Sequence, residues 1–225
     1  MKPASHARAD DKALYQPPID PVLVEVPSFE FVMIDGSGDP ATSPGYEAAV
    51  AALYAVSYPV VVSLRRAGRP GLKVRPLEGL WWAENLSVFQ PASEDRASWR
   101  WTMMIRQPDD VPGDLYDAAL ARMAGKLGGA VAARVRIERF DEGLCAQLMH
   151  RGPYADEGAD VTRLHDFAAA RGLWLRGHHH EIYLSDPRRC APQKLRTVLR
   201  QPVGPDDEVG SRISAGAGVR PGARH

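Results

Sequence analysis

Cysteine is nearly absent: Cys145 and Cys190 are the two in 225 residues. Two thiols make no disulfide framework. Net charge is absent too, because 28 Lys and Arg balance 28 Asp and Glu. That excludes the broad basic footprint of a nucleic-acid binder, and the short run at Arg188 and Arg189 reads as a solvated turn. No stretch approaches the roughly 18 apolar residues of a membrane span. The N-terminus lacks the apolar segment of a signal peptide. There is no G-x-S-x-G, and DGSGDP lacks the lysine and spacing of a phosphate loop. These absences point to a soluble, cytoplasmic protein, monomer or homodimer, without a nucleic-acid or membrane partner.

What is present is a patterned core between two polar tails. Residues 1–20 and 204–225 are irregular and poor in apolar periodicity, too little to offset the entropy of ordering. Residues 21–38 are rich in β-branched and aromatic side chains and read as a strand broken at Pro27. A helix follows from Ser43 and Pro44, with Tyr46, Val50, Leu53, Tyr54 and Val61 at helical spacing. Pro59 predicts a kink or an early end. Residues 72–84 and 99–107 read as two strands. A linking helix over 112–127 carries Leu115, Ala119, Met123 and Leu127 and stops at Gly128 and Gly129. Then come strand 133–154, helix 155–172 and two closing strands.

Strand–helix–strand–strand therefore occurs twice, over 21–107 and 133–203. The expectation is an α+β domain of two tandem modules in a pseudo-twofold arrangement, with a ligand cleft between them.

The run HHHEIYLSD (178–186) places a carboxylate inside a strand. Alternation puts His179, Glu181 and Tyr183 on one face and His180, Ile182 and Leu184 on the other. Ile182 and Leu184 are expected under the helices, and Glu181 and Tyr183, about 7 Å apart along the strand, on the opposite side. A plain wet face and a ligand cleft explain this equally well. Four tryptophans, Trp81, Trp82, Trp99 and Trp101, favour the cleft: with a carboxylate and a tyrosine they suit a planar or cationic ligand. Superposing the halves on Glu78 and Glu181 puts Trp82 beside Glu78 on the cleft face. No metal is expected, since only His178 and His180 of the three histidines share a face and zinc needs a third ligand. Cys145, inside a strand, reads as a buried, inert thiol.

PLEGLWW (76–82), MMIRQPDDV (103–111), EGLCAQLMHRGPYADE (142–157), HHEIYLSDPRR (179–189) and KLRTVLRQPV (194–203) together resemble the GyrI-like small-molecule-binding family. The resemblance implies two tandem strand–helix–strand–strand (SHS2) modules. The stand-alone branch with the HHEIYLSDPRR pattern resembles hydrolases of cyclopropanoid genotoxins. For this chain it implies Glu181 and Tyr183 as catalytic residues and a pocket of Trp81, Trp82, Trp101, Tyr154, Glu78 and His179, with neither metal nor organic cofactor and a lipophilic or aromatic small molecule as partner. Two other activities occur in the family: non-catalytic binding or sensing of lipophilic or cationic aromatics, and gyrase inhibition. His179 is the candidate donor to a substrate carbonyl.

Overall fold

The computed structural model describes residues 10–83 and 95–205. Among these residues, nine strands join by hydrogen bonding into one sheet. In chain order they are β1 (Val22–Val26), β2 (Phe29–Ser37), β3 (Leu77–Trp82), β4 (Arg100–Arg106), β5 (Val135–Phe140), β6 (Gly143–Arg151), β7 (Trp174–Leu175), β8 (His179–Tyr183) and β9 (Arg196–Gly204). The helices are α1 (Asp11–Tyr15), α2 (Pro44–Arg66), α3 (Gly113–Leu127), α4 (Gly129–Ala132) and α5 (Glu157–Ala169).

The order across the sheet is β1-β6-β9-β8-β3-β4-β2-β5, with β7 beside β9. The first module contributes β3-β4-β2 and the second β6-β9-β8, so the modules meet at β3 and β8. The strand leading into each module is donated to the other: β1 pairs with β6 and β5 with β2. Each outer strand thus covers an edge that would otherwise be open.

Register decides which side chains share a face. Met103, Gly79, Glu181 and Leu199 lie directly across from one another on four successive strands. Met103 packs in the cluster under α2, and Leu199 in the cluster under α5. Both long helices therefore lie on the Glu181 face. This corrects the expectation that Ile182 would pack beneath them. Ile182 points to the opposite face, where it joins Met149, Val198 and Tyr15.

That opposite face is closed by the N-terminal segment. Leu14 is 1% exposed, the Arg200 side chain donates to its carbonyl at 2.9 Å, and Gln147 donates to that of Ala13 at 2.7 Å. Residues 10–20, expected as part of a mobile arm, are thus tied to the sheet, because one buried leucine and two carbonyl anchors replace an apolar stripe too short to read. Residues 1–9 and 206–225 of the expected tails lie outside the described residues.

The early helix end expected as one of two outcomes at Pro59 is a second correction. α2 runs unbroken for 23 residues. The lost hydrogen bond and ring clash cost about 3 kcal/mol. Burial of Val56, Val60, Val61 and Leu64 around the proline, at about 1.5–3 kcal/mol per large apolar side chain, exceeds that. By length and composition α2 could also cross a membrane; here its apolar side forms the core of the first module.

Candidate active site

The candidate site lies on the helix face, where β3 of one module pairs with β8 of the other, flanked by Tyr46 of α2 and by Tyr154 in the turn before α5. Because side chains alternate, β8 offers the cleft His179, Glu181 and Tyr183, and β3 offers Leu77, Gly79 and Trp81.

Glycine at 79 leaves room in a tight spot. A Cβ there would sit 3.0 Å from the Trp81 indole nitrogen and 3.1 Å from the Met103 sulfur. Trp81 leans over this gap and donates to the Tyr183 hydroxyl at 2.9 Å. Tyr183 in turn donates to Glu181 Oε2 at 2.8 Å. The chain Trp81–Tyr183–Glu181 fixes one carboxylate oxygen. The other, Oε1, makes no hydrogen bond among the described residues and lies 3.7 Å from His179 Nε2.

Aromatic rings surround the carboxylate. Tyr46 of α2 stacks on Trp81 with centroids 6.4 Å apart, and Trp99 meets Trp81 edge-on at 5.9 Å. Tyr154 meets Tyr183 edge-on at 5.7 Å and is 39% exposed. The Glu181 side chain is 18% exposed.

Burial among these rings raises the Glu181 carboxyl to about 7, against the hydrogen bond from Tyr183 and the charges of His180 and His150, which lower it. Burial and the adjacent Glu181 push the Tyr183 phenol well above its ordinary value, so it stays a donor. Burial, then His165 and His180, lowers His179 to about 3. It is a neutral imidazole with neither ring nitrogen hydrogen-bonded among the described residues.

A second carboxylate faces the same space. Glu157, the first residue of α5, is 7% exposed. Burial and the charge of Glu181 raise it to about 9. In the sequence, an acid opening a helix explains itself as a partner of the helix dipole, so Glu157 carried no separate signal. Tyr46 was likewise hidden in the apolar stripe of its helix.

The structure thus brings together Glu181, Tyr183, Trp81, His179 and Tyr154. It separates Glu78, Trp82 and Trp101 from them. Glu78 and Trp82 lie on the opposite face, and this overturns the superposition of the two glutamates. Gly79, not Glu78, is the direct partner of Glu181, and a shift of one residue exchanges every side chain between faces. Glu78 is 1% exposed, accepts from Tyr15 at 3.1 Å and pairs with His180 at 3.0 Å. Trp82 stacks on His178 at 4.3 Å. Trp101 has the right face but is sealed under α2. It is 1% exposed, donates to the Gly38 carbonyl, and lies over Gly36, where a Cβ would fall 2.1 Å from its ring. Cys145 is fully buried, and burial followed by nearby Glu142 pushes its thiol up.

The GyrI-like small molecule binding domain model matches residues 19–203. Three crystal structures from Listeria innocua are similar over 86% of this chain. An uncharacterized conserved protein is 39% identical, with TM-score 0.78 and 97% of its own chain covered. Two others, each described as a hydrolase, are 36% and 37% identical, with TM-scores 0.72 and 0.73 and 96% of each chain covered. No curated protein matches.

Proposed function

The chain belongs to the GyrI-like small-molecule-binding domain family, and on that premise we propose that it is a hydrolase that opens the strained ring of lipophilic cyclopropanoid compounds by adding water. The observation that carries this reading is the half-held Glu181: one oxygen fixed by Tyr183, a raised proton affinity, and aromatic rings on either side. A carboxylate so placed is a stronger base than one in water and keeps a free oxygen for the proton it takes. Two similar Listeria innocua proteins described as hydrolases lend support.

In the proposed reaction, Glu181 Oε1 accepts a proton from a water molecule. The water oxygen bonds to the unsubstituted carbon of a spirocyclopropane conjugated to a dienone. The ring carbon–carbon bond breaks, and its electron pair moves through the dienone to the carbonyl oxygen, which becomes a phenol on protonation. Trp81, Tyr46 and Tyr154 hold the flat skeleton by stacking and edge contacts. Tyr183 orients the base.

The test incubates the purified protein with a spirocyclopropyl indole alkylator and seeks, by mass spectrometry, the ring-opened product heavier by one water. Wild type should form it. Glu181→Gln should still quench tryptophan fluorescence on binding but turn over about 100-fold slower or worse. Binding by both proteins with turnover by neither would leave a binding protein and contradict the hydrolase. Loss of binding in Glu181→Gln, with a preference for lipophilic cations in the wild type, would mark a sensor.

A further inference from the structure

Two buried carboxyl groups share the cleft, and the proposed reaction uses one. The other has a setting of its own. Glu157 is more than nine-tenths buried, and its Oε1 finds no hydrogen-bond partner among the described residues. A buried carboxylate without partners is costly. Of the groups around it, the Thr197 hydroxyl alone favours the ionised form. From β8 it is faced by Glu181 and the Tyr183 phenol, from the preceding turn by Tyr154, from its own helix by Asp160, and from β9 by the Thr197 hydroxyl. His150, in the strand beyond β9, is committed to Asp160 at 2.8 Å, and Arg163 to the same aspartate at 2.6 Å. Among the described residues no cation forms an ion pair with Glu157.

We infer that Glu157 is a second catalytic residue, a neutral carboxylic acid that donates its proton to the oxygen of the same ligand whose water Glu181 deprotonates. Like charges in one dry site do not both ionise, so a pair of carboxyls keeps one proton and divides the roles of acid and base. The division follows from surroundings. Tyr183 donates to Glu181, and the positive charge of His180 favours its ionised form. Glu157 is buried deeper and has the repulsion of Glu181 and Asp160, against the Thr197 hydroxyl as the one group favouring its ionised form. The proton therefore resides on Glu157.

This inference rests on the hydrolase reading and supplies what that reading leaves open, the source of the proton for the dienone oxygen. The balance closes. Glu181 gains the proton of water, Glu157 gives one to the nascent phenolate, and transfer of a proton from Glu181 to Glu157, directly or through solvent, restores the starting state. Activity needs Glu181 ionised and Glu157 protonated, so it rises with pH through about 7 and falls through about 9.

Two measurements separate this inference from the reading beneath it. The first needs no turnover. Infrared difference spectra at pH 8 should show the carbonyl band of a protonated carboxylic acid in the wild type and in Glu181→Gln, and should lose it in Glu157→Gln. A band that survives Glu157→Gln overturns the proposal. The second uses the spirocyclopropyl probe. Glu157→Gln should keep binding, lose about 100-fold in kcat and lose the alkaline limb of the pH profile, while Glu157→Asp recovers part of the rate. Wild-type turnover in Glu157→Gln overturns the acid role and leaves Glu181 as base untouched. If the wild type itself does not turn over, the hydrolase reading and the acid's catalytic role fall together, and the infrared band still reports where the proton sits.

Discussion

His180 and Glu181 are neighbours on β8, His180 fully buried and Glu181 largely so, yet their surroundings treat them in opposite ways. On the face of His180 every charge has a partner. His180 lies between Glu142 at 2.9 Å and Glu78 at 3.0 Å, and Arg200 meets Glu142 at 3.0 Å. Two cations balance two carboxylates. Burial alone would lower His180, but Glu142 and Glu78 prevail and hold it at about 9. Burial alone would raise Glu142, but His180 and Arg200 prevail and hold it at about 2. On the face of Glu181 no charged group makes a close ion pair with either carboxyl among the described residues, and burial wins, raising both. The same residue types, removed from water on both faces, thus give a fixed ionic lock on one side and reactive groups on the other. The difference lies in their partners.

Breaking the paired face should have the largest effect on stability. Glu142→Gln strips His180 and Arg200 of their shared partner and should cost about 3–5 kcal/mol in denaturant unfolding. The pH dependence follows from the shifts. The raised His180 contributes fully below its ordinary 6.5 and loses its contribution as pH rises through about 9. The depressed Glu142 contributes fully above its ordinary 4.5 and loses it as pH falls through about 2. Stability from this face should therefore be greatest between those two ordinary values.

The unpaired face should respond with the opposite sign. Raised carboxyl values make the folded state less stable as pH climbs from the ordinary range toward the raised one. Glu157→Gln and Glu181→Gln should each stabilise the protein by about 1–3 kcal/mol at neutral pH and by nothing near pH 4. Thermal unfolding at the two pH values checks this. Destabilisation at both would mean that the carboxylates are paired after all.

Gly79→Ala sharpens the contrast geometrically. The new methyl crowds Trp81 and Met103 and should cost about 1–2 kcal/mol while displacing the indole from Tyr183. Its signature would be altered tryptophan emission with the ionic lock intact. Tyr183→Phe is the mildest break. It leaves the Trp81 N–H without its acceptor, about 1 kcal/mol, and removes the bond that lowers Glu181, so the acid limb of any pH profile should move upward. A downward shift would contradict the hydrogen-bond chain.

Much of the fold was legible in the sequence because its signals are periodic. The doubled strand–helix–strand–strand order, the stop at Gly128 and the break at Pro27 all correspond to observed elements. Parity between halves was not legible. Glu78 and Glu181 look alike in sequence, but register sets Glu181 against Gly79, and no local pattern encodes which strand of a distant module lies alongside. The helix at Pro59 survives through tertiary burial, which also escapes local reading. Glu181 and Tyr183 could be found because a charge and an aromatic stand out in a strand, whereas Trp81 entered through the family resemblance while parity between the halves pointed to Trp82. Glu157 and Tyr46 could not, because an acid opening a helix and an aromatic in an apolar stripe already have ordinary explanations.

The most direct measurement is a carbon-13 titration of carboxyl groups in glutamate-labelled protein, with Glu142, Glu157 and Glu181 assigned by single substitution. Glu142 should stay ionised down to strongly acidic pH, Glu181 should titrate near neutrality, and Glu157 higher still. A Glu181 that titrates in the ordinary carboxylate range near 4 would remove the base from the cleft and contradict the contrast between the two faces.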